Sequence, residues 1–378
     1  MSAPAVVRWN EHGGARSALW ISEGGVDPPA RVLVADERIA ADAAYRLVSQ
    51  GTAILWRGDF QNARQILQAL MRRVDGRAPR KPRAGPPITG AAAFHAHRMA
   101  RGQRARTLGM LLVPFETGYR IPLRRAPDVG QACAEAHGPC IDAGVISLRE
   151  LQGLIGAHEW RRKGVEIPAL GASIHPHYGV FSPVRGEYVR LVAQAPLPAT
   201  DLAFDIGCGT GVLAAVLARR GVARVIATDS DARALACARD NIARLGIAAQ
   251  VEVTEADLFP PGRASLVVCN PPWLPGRPAS PLERSVYDHD SRMLRGFLHG
   301  LAAHLGPGGE GWLILSDLAE LLGLRARNEL PALIEQSGLR VIARIDARPS
   351  HPKAFDAADP LHAARRAEVT TLWRLAVR

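Results

Sequence analysis

The stretch that decides the fold runs Leu202-Ala203-Phe204-Asp205-Ile206-Gly207-Cys208-Gly209-Thr210-Gly211 and leads straight into Val212-Leu213-Ala214-Ala215-Val216-Leu217-Ala218. Residues 202–206 are apolar apart from Asp205, the pattern of a strand covered on both faces. Three glycines follow, and the residues from 212 onward read as a helix. Glycines at a strand end let the backbone pass close to a ligand, because no β-carbon stands in the way. The spacing is G-x-G-x-G. It departs from the dinucleotide fingerprint G-x-G-x-x-G, since position 212 is Val.

Outward from this stretch, strands and helices alternate. Arg224–Thr228 reads as a strand and Asp231–Leu245 as a helix with Ala234, Leu235, Ala238, Ile242 and Leu245 on one face. Val251–Thr254, Leu266–Cys269 and Trp312–Ser316 read as strands. Ser291 is placed to cap a helix lined by Leu294, Phe297, Leu298, Leu301 and Leu305. Leu339–Ala347 and Glu368–Leu375 read as two strands that close the sheet. Such alternation predicts an α/β fold with a parallel sheet and helices on both faces. Ligands in these sheets lie beyond the carboxyl ends of the strands. Three acids stand there. Asp229 ends the second strand, where a carboxylate can accept from both hydroxyls of a ribose. Asp257-Leu258-Phe259 follows the third, where an acid and apolar side chains can flank an adenine. Asp205 can accept from an ammonium group.

This set resembles the class I S-adenosylmethionine-dependent methyltransferases over about residues 175–378. The resemblance implies a Rossmann-like seven-stranded sheet with an α/β amino-terminal extension, and S-adenosyl-L-methionine as cofactor. It carries cofactor contact onto Asp205, Gly207, Cys208, Gly209, Gly211, Asp229, Asp257, Leu258 and Asn270. The alternative is an ordinary nucleotide-binding sheet.

The fourth strand ends in Asn270-Pro271-Pro272-Trp273. Two prolines fix the backbone and remove two donors. The Asn270 side-chain oxygen and the Pro271 carbonyl can then both accept from one planar amine, and Trp273 offers a face to the attached π-system. Catalysis in such a site is orientation and electrostatics, with no metal or strong base. The quartet is similar to the [N/D]-P-P-[Y/F/W] signature of methyltransferases that act on exocyclic base amines or glutamine amides. Tyr or Phe is the usual fourth residue. The resemblance makes Asn270, Pro271, Pro272 and Trp273 the catalytic group; a Pro-Pro turn after a strand is the alternative.

Gly179-Val180-Phe181-Ser182 is similar to a stretch in bacterial ribosomal-RNA guanine-N2 methyltransferases. Phe181 either touches the cofactor or packs under the sheet. Those enzymes carry a degenerate amino-terminal domain, and residues 37–75 read as helix, strand, helix, too short for a full copy. Protein glutamine-N5 methyltransferases are the competing resemblance, and Pro183-Val184-Arg185-Gly186-Glu187 matches their motif loosely. A non-catalytic RNA-binding protein with this fold is a third reading, which has no use for the quartet. His351, Lys353, His362, Arg365 and Arg366 lie between the last two strands, in a loop that can meet an acidic substrate or stay solvated.

The amino-terminal part is read from charge. The 378 residues carry a net charge of +11, and residues 71–125 alone hold thirteen Lys/Arg against Asp75 and Glu116. A local excess of this kind suits a phosphate-tracking surface and makes RNA the expected partner; a solvated arginine-rich linker is the alternative. The expected domains are 1–76, an α/β region; 77–170, a basic linker and accessory region; and 171–378, the methyltransferase domain. Arg77–Gly90 reads as linker, 107–114 and 119–123 as a hairpin turning at Glu116-Thr117-Gly118, and Ser147 with Glu150 as a capping box. No window is long and apolar enough to span a membrane. Five scattered cysteines point to a reducing cytoplasm, and Cys133, His137 and Cys140 are too few ligands for a zinc site.

Overall fold

A computed structural model describes residues 5–76, 89–140, 142–278 and 282–378. The chain divides into two units, Met1–Ile88 with His95–Glu159 and Thr89–Phe94 with Trp160–Arg378.

The first unit holds β1 (Val6–Glu11), β2 (Gly14–Ile21), β3 (Val32–Ala35), α1 (Ala41–Ser49), β4 (Ala53–Trp56), α2 (Phe60–Asp75), most of α3 (Gly90–Leu108), β5 (Leu111–Phe115), α4 (Gly130–His137), β6 (Gly144–Ser147) and most of α5 (Leu148–Lys163). The strands form one sheet in the order β1-β2-β6-β5-β4-β3. β3, β4 and β5 are parallel. All residues of β4 and β5 are buried, as central parallel strands require. β1 and β2 meet through His12-Gly13, whose φ values of 52° and 77° are those of a two-residue primed turn.

The structure corrects three expectations in this unit. Residues 107–123 form no hairpin: Thr107 and Leu108 end α3, β5 pairs with β4 and β6, and only one isolated bridge joins Glu116 to Arg120. The capping box is absent, because Ser147 Oγ has no hydrogen-bond partner and Glu150 Oε1 instead accepts from the Glu23 N–H at 2.7 Å. The amino-terminal α/β region is larger than 1–76, since β5 and β6, from the expected linker and accessory region, lie inside its sheet. The expected linker itself lies outside the described residues, apart from Thr89 and Gly90.

The second unit opens with a small hairpin, β7 (Val165–Ile167) and β8 (Ala172–Ile174), and α6 (Glu187–Gln194). Then come β9 (Leu202–Ile206), α7 (Val212–Arg219), β10 (Arg224–Asp229), α8 (Ala232–Arg244), β11 (Val251–Glu255) and β12 (Ala264–Cys269). After β13 (Leu274–Pro275) and β14 (Tyr287–Asp288) follow α9 (Arg292–His304), β15 (Leu305–Ser316), α10 (Leu318–Leu321), α11 (Glu329–Gln336), β16 (Leu339–Ala347), α12 (His362–Ala367) and β17 (Thr370–Val377). The large sheet has the order β11-β10-β9-β12-β15-β17-β16. Its first five strands are parallel, and β17 runs antiparallel to both neighbours. Successive side chains alternate between faces. Ala203 accordingly joins the cluster under α6, α7 and α8, while Phe204 and Ile206 join the one under α9 and α11. The strand order reverses between β9 and β12, so the crevice for a ligand opens at their carboxyl ends.

Ser291 occupies the N-cap position of α9, as the sequence suggests, but its side chain does not cap the helix. It lies in the left-handed region, at φ 52°, and makes no side-chain capping bond. Asp288 takes that role, its two oxygens accepting from the N–H groups of Met293 and Leu294 at 3.1 Å each.

Candidate functional site

The loop after β9 is shaped by its glycines. Gly207, Gly209 and Gly211 all have left-handed φ values, 71°, 53° and 77°, which side chains with a β-carbon seldom adopt. The Gly207 and Cys208 N–H groups donate to the Thr228 carbonyl at 2.9 and 2.8 Å, tying the loop to β10. A β-carbon on Gly207 would meet Met293 Cε at 2.3 Å, and one on Gly211 would press on Ala238. One on Gly209 would meet nothing within 4 Å, so the loop turns an open backbone outward there.

Asp229 sits at the end of β10. Its Oδ2 accepts from the Gly209 N–H and its Oδ1 from the Asp231 N–H, each at 3.0 Å. A carboxylate has about four acceptor positions, and the Ser230 N–H also acts on this one, which leaves room for a further donor. Burial raises its pKa against the pull of these backbone bonds. Asp205 differs from the expectation of direct contact with an ammonium group. It is 1% exposed, and its Oδ2 accepts from the Ala214 N–H at 2.9 Å, inside the first turn of α7. Burial pushes its pKa up to about 7. It fastens the end of β9 to the first turn of α7.

Beyond β11, Asp257 is exposed and pairs with Arg292 at 2.6 Å. Leu258 has φ 77°, an unusual conformation for a leucine, and its carbonyl accepts from Thr228 Oγ1 at 2.6 Å. Cys208 is buried, and burial raises its thiol pKa well above the usual range. Phe181 is partly buried and packs on the cluster under α7.

The quartet follows β12. Cys269 is paired with Ile206, so Asn270 and Gly207 leave the ends of adjacent parallel strands at the same level. Pro271 is buried and Trp273 partly so, the indole touching the clusters on both faces of the sheet. Trp273 Nε1–H donates to Asn270 Oδ1 at 2.9 Å. The Trp273 carbonyl accepts from Arg325 Nη2 at 3.3 Å.

Sequence reading missed four residues here. Asp288 orients α9, Met293 covers Gly207, Arg292 holds Asp257 and Arg325 holds Trp273. Only the carboxylate type of Asp288 near a helix start was a usable signal; the others act over distances of 35 to 86 residues along the chain.

Five of the thirteen basic residues of the basic segment are held in ion pairs. Nine of its thirteen Lys/Arg lie in described residues, the rest being 77, 80, 81 and 83. Arg73 pairs with Asp42, Arg104 with Asp75, Arg120 with Glu116, and Arg124 and Arg125 share the buried Asp59. Arg101 and Arg106, both on α3, are exposed and have no ion pair among the described residues. In the second unit, the loop before β17 is also internally paired, Arg365 with Asp359 at 2.8 Å.

Comparison with known proteins agrees with this architecture. The methyltransferase small domain family matches residues 172–320. A release factor glutamine methyltransferase of Cereibacter sphaeroides is 33% identical over 195 residues, covering 48% of this chain and 65% of that protein. Ribosomal RNA small subunit methyltransferase C of Ectopseudomonas mendocina is 33% identical over 160 residues, 42% of this chain and 45% of that protein. A ribosomal protein L11 methyltransferase of Pelotomaculum thermopropionicum is 45% identical over 69 residues, 18% of this chain and 22% of that protein. The chain thus spans less than two thirds of the length of each. The family match places a region similar to the methyltransferase small domain at residues 172–320, within the second unit, on a sheet with the strand order and glycine loop of the class I methyltransferase fold.

Proposed function

We propose that this chain methylates a planar conjugated nitrogen, and that the acceptor is an exocyclic base amine of ribosomal RNA. One observation carries the chemistry: Asn270-Pro271-Pro272-Trp273 leaves the central strand level with the glycine loop, with the carboxamide oxygen held in place. The open backbone at Gly209 and the remaining acceptor capacity of Asp229 fit a nucleoside cofactor. Bound S-adenosylmethionine supplies an electrophilic methyl group on a sulfonium centre. Asp229 accepts from the ribose hydroxyls. Gly209 would let the backbone approach, Gly207, Cys208 and Gly211 shape the loop that carries it, and Asp205 acts by tying β9 to the first turn of α7. Leu258 and Asp257 would flank the adenine, and Phe181 packs on the cluster under α7. Asn270 Oδ1 and the Pro271 carbonyl each accept a hydrogen bond from one N–H of the acceptor amine. This directs the nitrogen lone pair at the methyl and raises its electron density; the C–N bond would form as the C–S bond breaks, with that bond's electron pair leaving on the neutral thioether of S-adenosylhomocysteine. Pro272 stiffens the turn. Trp273 stacks on the acceptor ring. The surplus proton leaves to solvent once the nitrogen is alkylated.

RNA is favoured over protein by the charge of residues 71–125, where Arg101 and Arg106 remain available to phosphates. A glutamine amide is the second reading. It also presents two protons on a conjugated nitrogen, and a release factor glutamine methyltransferase is among the relatives. Incubation with methyl-labelled cofactor and either unmethylated ribosomal RNA or release factor separates the two. Label removed by ribonuclease and not by protease is the expected result; label only in protein overturns the RNA reading.

A further inference from the structure

The quartet contains a hydrogen bond that stacking does not require. Trp273 Nε1–H donates to Asn270 Oδ1 at 2.9 Å. An indole nitrogen is only a donor, so the carboxamide atom facing it is the oxygen and the amide NH2 is turned away. A flipped amide would aim two donors at an acceptor amine that itself donates. One lone pair of Oδ1 is occupied by the indole, and the other is left to the acceptor.

The indole's own backbone is held in turn. Arg325, 6% exposed, donates to the Trp273 carbonyl at 3.3 Å and lies 3.4 Å from Glu320 Oε1. Its Nε and the Glu320 Oε2 are buried with no hydrogen-bond partner. A buried ion pair with long contacts and unfilled valences is a poor source of stability; apolar residues of similar size often serve as well or better. Its neighbours Leu318, Ala319 and Leu322 already form an apolar cluster with Leu274, the residue after the quartet. The pair therefore calls for an explanation other than stability.

We propose that Trp273 and Arg325 are positioning residues for Asn270: the indole N–H fixes which end of the carboxamide faces the acceptor, and the guanidinium fixes the backbone that carries the indole. The proposal rests on the N-methyltransferase reading above. It separates two roles of Trp273, since a phenyl ring can stack but has no N–H to give to Oδ1.

The test replaces Trp273 in the full chain with β-(3-benzothienyl)alanine, which keeps the bicyclic ring and exchanges N–H for sulfur. Methyl transfer to an unmethylated ribosomal RNA transcript, and to a glutamine-containing peptide as the other acceptor class, should show kcat lowered about tenfold on whichever acceptor the wild type uses, the cost of about one hydrogen bond. KM for that acceptor should stay within about threefold, because the stacking face remains. Arg325→Met should lower kcat by a smaller factor with KM likewise unchanged. A second readout needs no acceptor. In an ¹H–¹⁵N spectrum, the Trp273 indole peak, identified by its loss in Trp273→Phe, should move in both Asn270→Ala and Arg325→Met. An indole peak unmoved in both variants, or full kcat in the sulfur analogue, overturns the positioning roles. Wild-type protein that methylates neither probe overturns the N-methyltransferase reading, and the positioning proposal with it.

Discussion

Removing the Asp229 carboxylate is the sharpest perturbation of the cofactor site. In the folded chain it joins three things: its own strand, the Gly209 N–H and the Asp231 N–H. Asp229→Ala deletes the proposed acceptor of the ribose diol and leaves both N–H groups without their partner. A hydrogen bond to a charged group contributes about 1.5–3 kcal/mol, so S-adenosylmethionine affinity should fall about 10- to 100-fold from the diol alone. Release of the Gly209 N–H should loosen the loop and add to that loss. Asp229→Asn keeps one carbonyl oxygen and should fall between wild type and Ala. Because burial raises the Asp229 pKa, wild-type affinity should weaken on acidification at higher pH than an ordinary carboxylate would produce, and the Ala variant should lack that dependence. Isothermal titration calorimetry, with circular dichroism to establish folding, measures all three proteins. A folded Asp229→Ala with affinity within twofold of wild type would refute the assignment.

Three further outcomes are expected from the same geometry. Asp205 has a folded pKa of about 7 against an ordinary value of 3.8, so the folded state holds the extra proton between those values and stability falls as pH rises through that window. Asp205→Asn, which still offers an oxygen to the Ala214 N–H, should gain thermal stability relative to wild type from pH 4 to pH 8; a difference constant across that range contradicts this. Gly209→Ala should fold, losing about 1–2 kcal/mol to its left-handed backbone, yet bind cofactor at least tenfold more weakly as its methyl group enters the open space; unchanged binding would place the cofactor elsewhere. Reversing Arg101 and Arg106 to Glu should lower the salt dependence of binding to single-stranded RNA by roughly 0.7 in log–log slope for each phosphate no longer neutralised, and leave cofactor affinity alone; an unchanged slope means that α3 does not touch phosphate.

The second unit was legible because its sequence and its packing obey one rule. Residues 202–206 are nearly all apolar since β9 is central and covered on both faces, and the glycines of its loop are required by three left-handed φ values. Asp229 was visible as the acid that ends a strand. What those acids do was less visible: Asp205 accepts from a backbone N–H of the helix α7 and Asp229 from one of the glycine loop, a use that strand position does not disclose. The first unit was harder to read. Its opening hairpin turns through His12-Gly13 in place of the usual Asn-Gly, and β1 carries Arg8, Asn10 and Glu11 among its apolar residues. The Glu116-Thr117-Gly118 signal was real as a turn, with Gly118 at φ 71°, but the chain leaves it without a second strand. Two serines looked like caps, yet the N-terminal turn of α9 is served by Asp288, and the Ser147 hydroxyl makes no hydrogen bond. Charge counting found the basic segment and missed how much of it is spent on Asp42, Asp59, Asp75 and Glu116, because most of this pairing spans 29 to 66 residues and leaves no local trace.

Asn270 is the residue on which the proposed chemistry turns. Its carboxamide oxygen accepts from Trp273 with one lone pair, and the proposal assigns the other to the amine of the acceptor. The direct measurement is single-turnover methyl transfer to unmethylated ribosomal RNA at saturating S-adenosylmethionine, with the product nucleoside identified by mass spectrometry. The wild type should yield a base methylated on its exocyclic amine. Asn270→Ala should transfer about 10²–10³-fold more slowly, as expected for loss of one preorganised electrostatic partner, with cofactor affinity within a few-fold. Transfer by Asn270→Ala at near the wild-type rate would contradict the planar-amine mechanism and reduce the quartet to a turn that ends a strand.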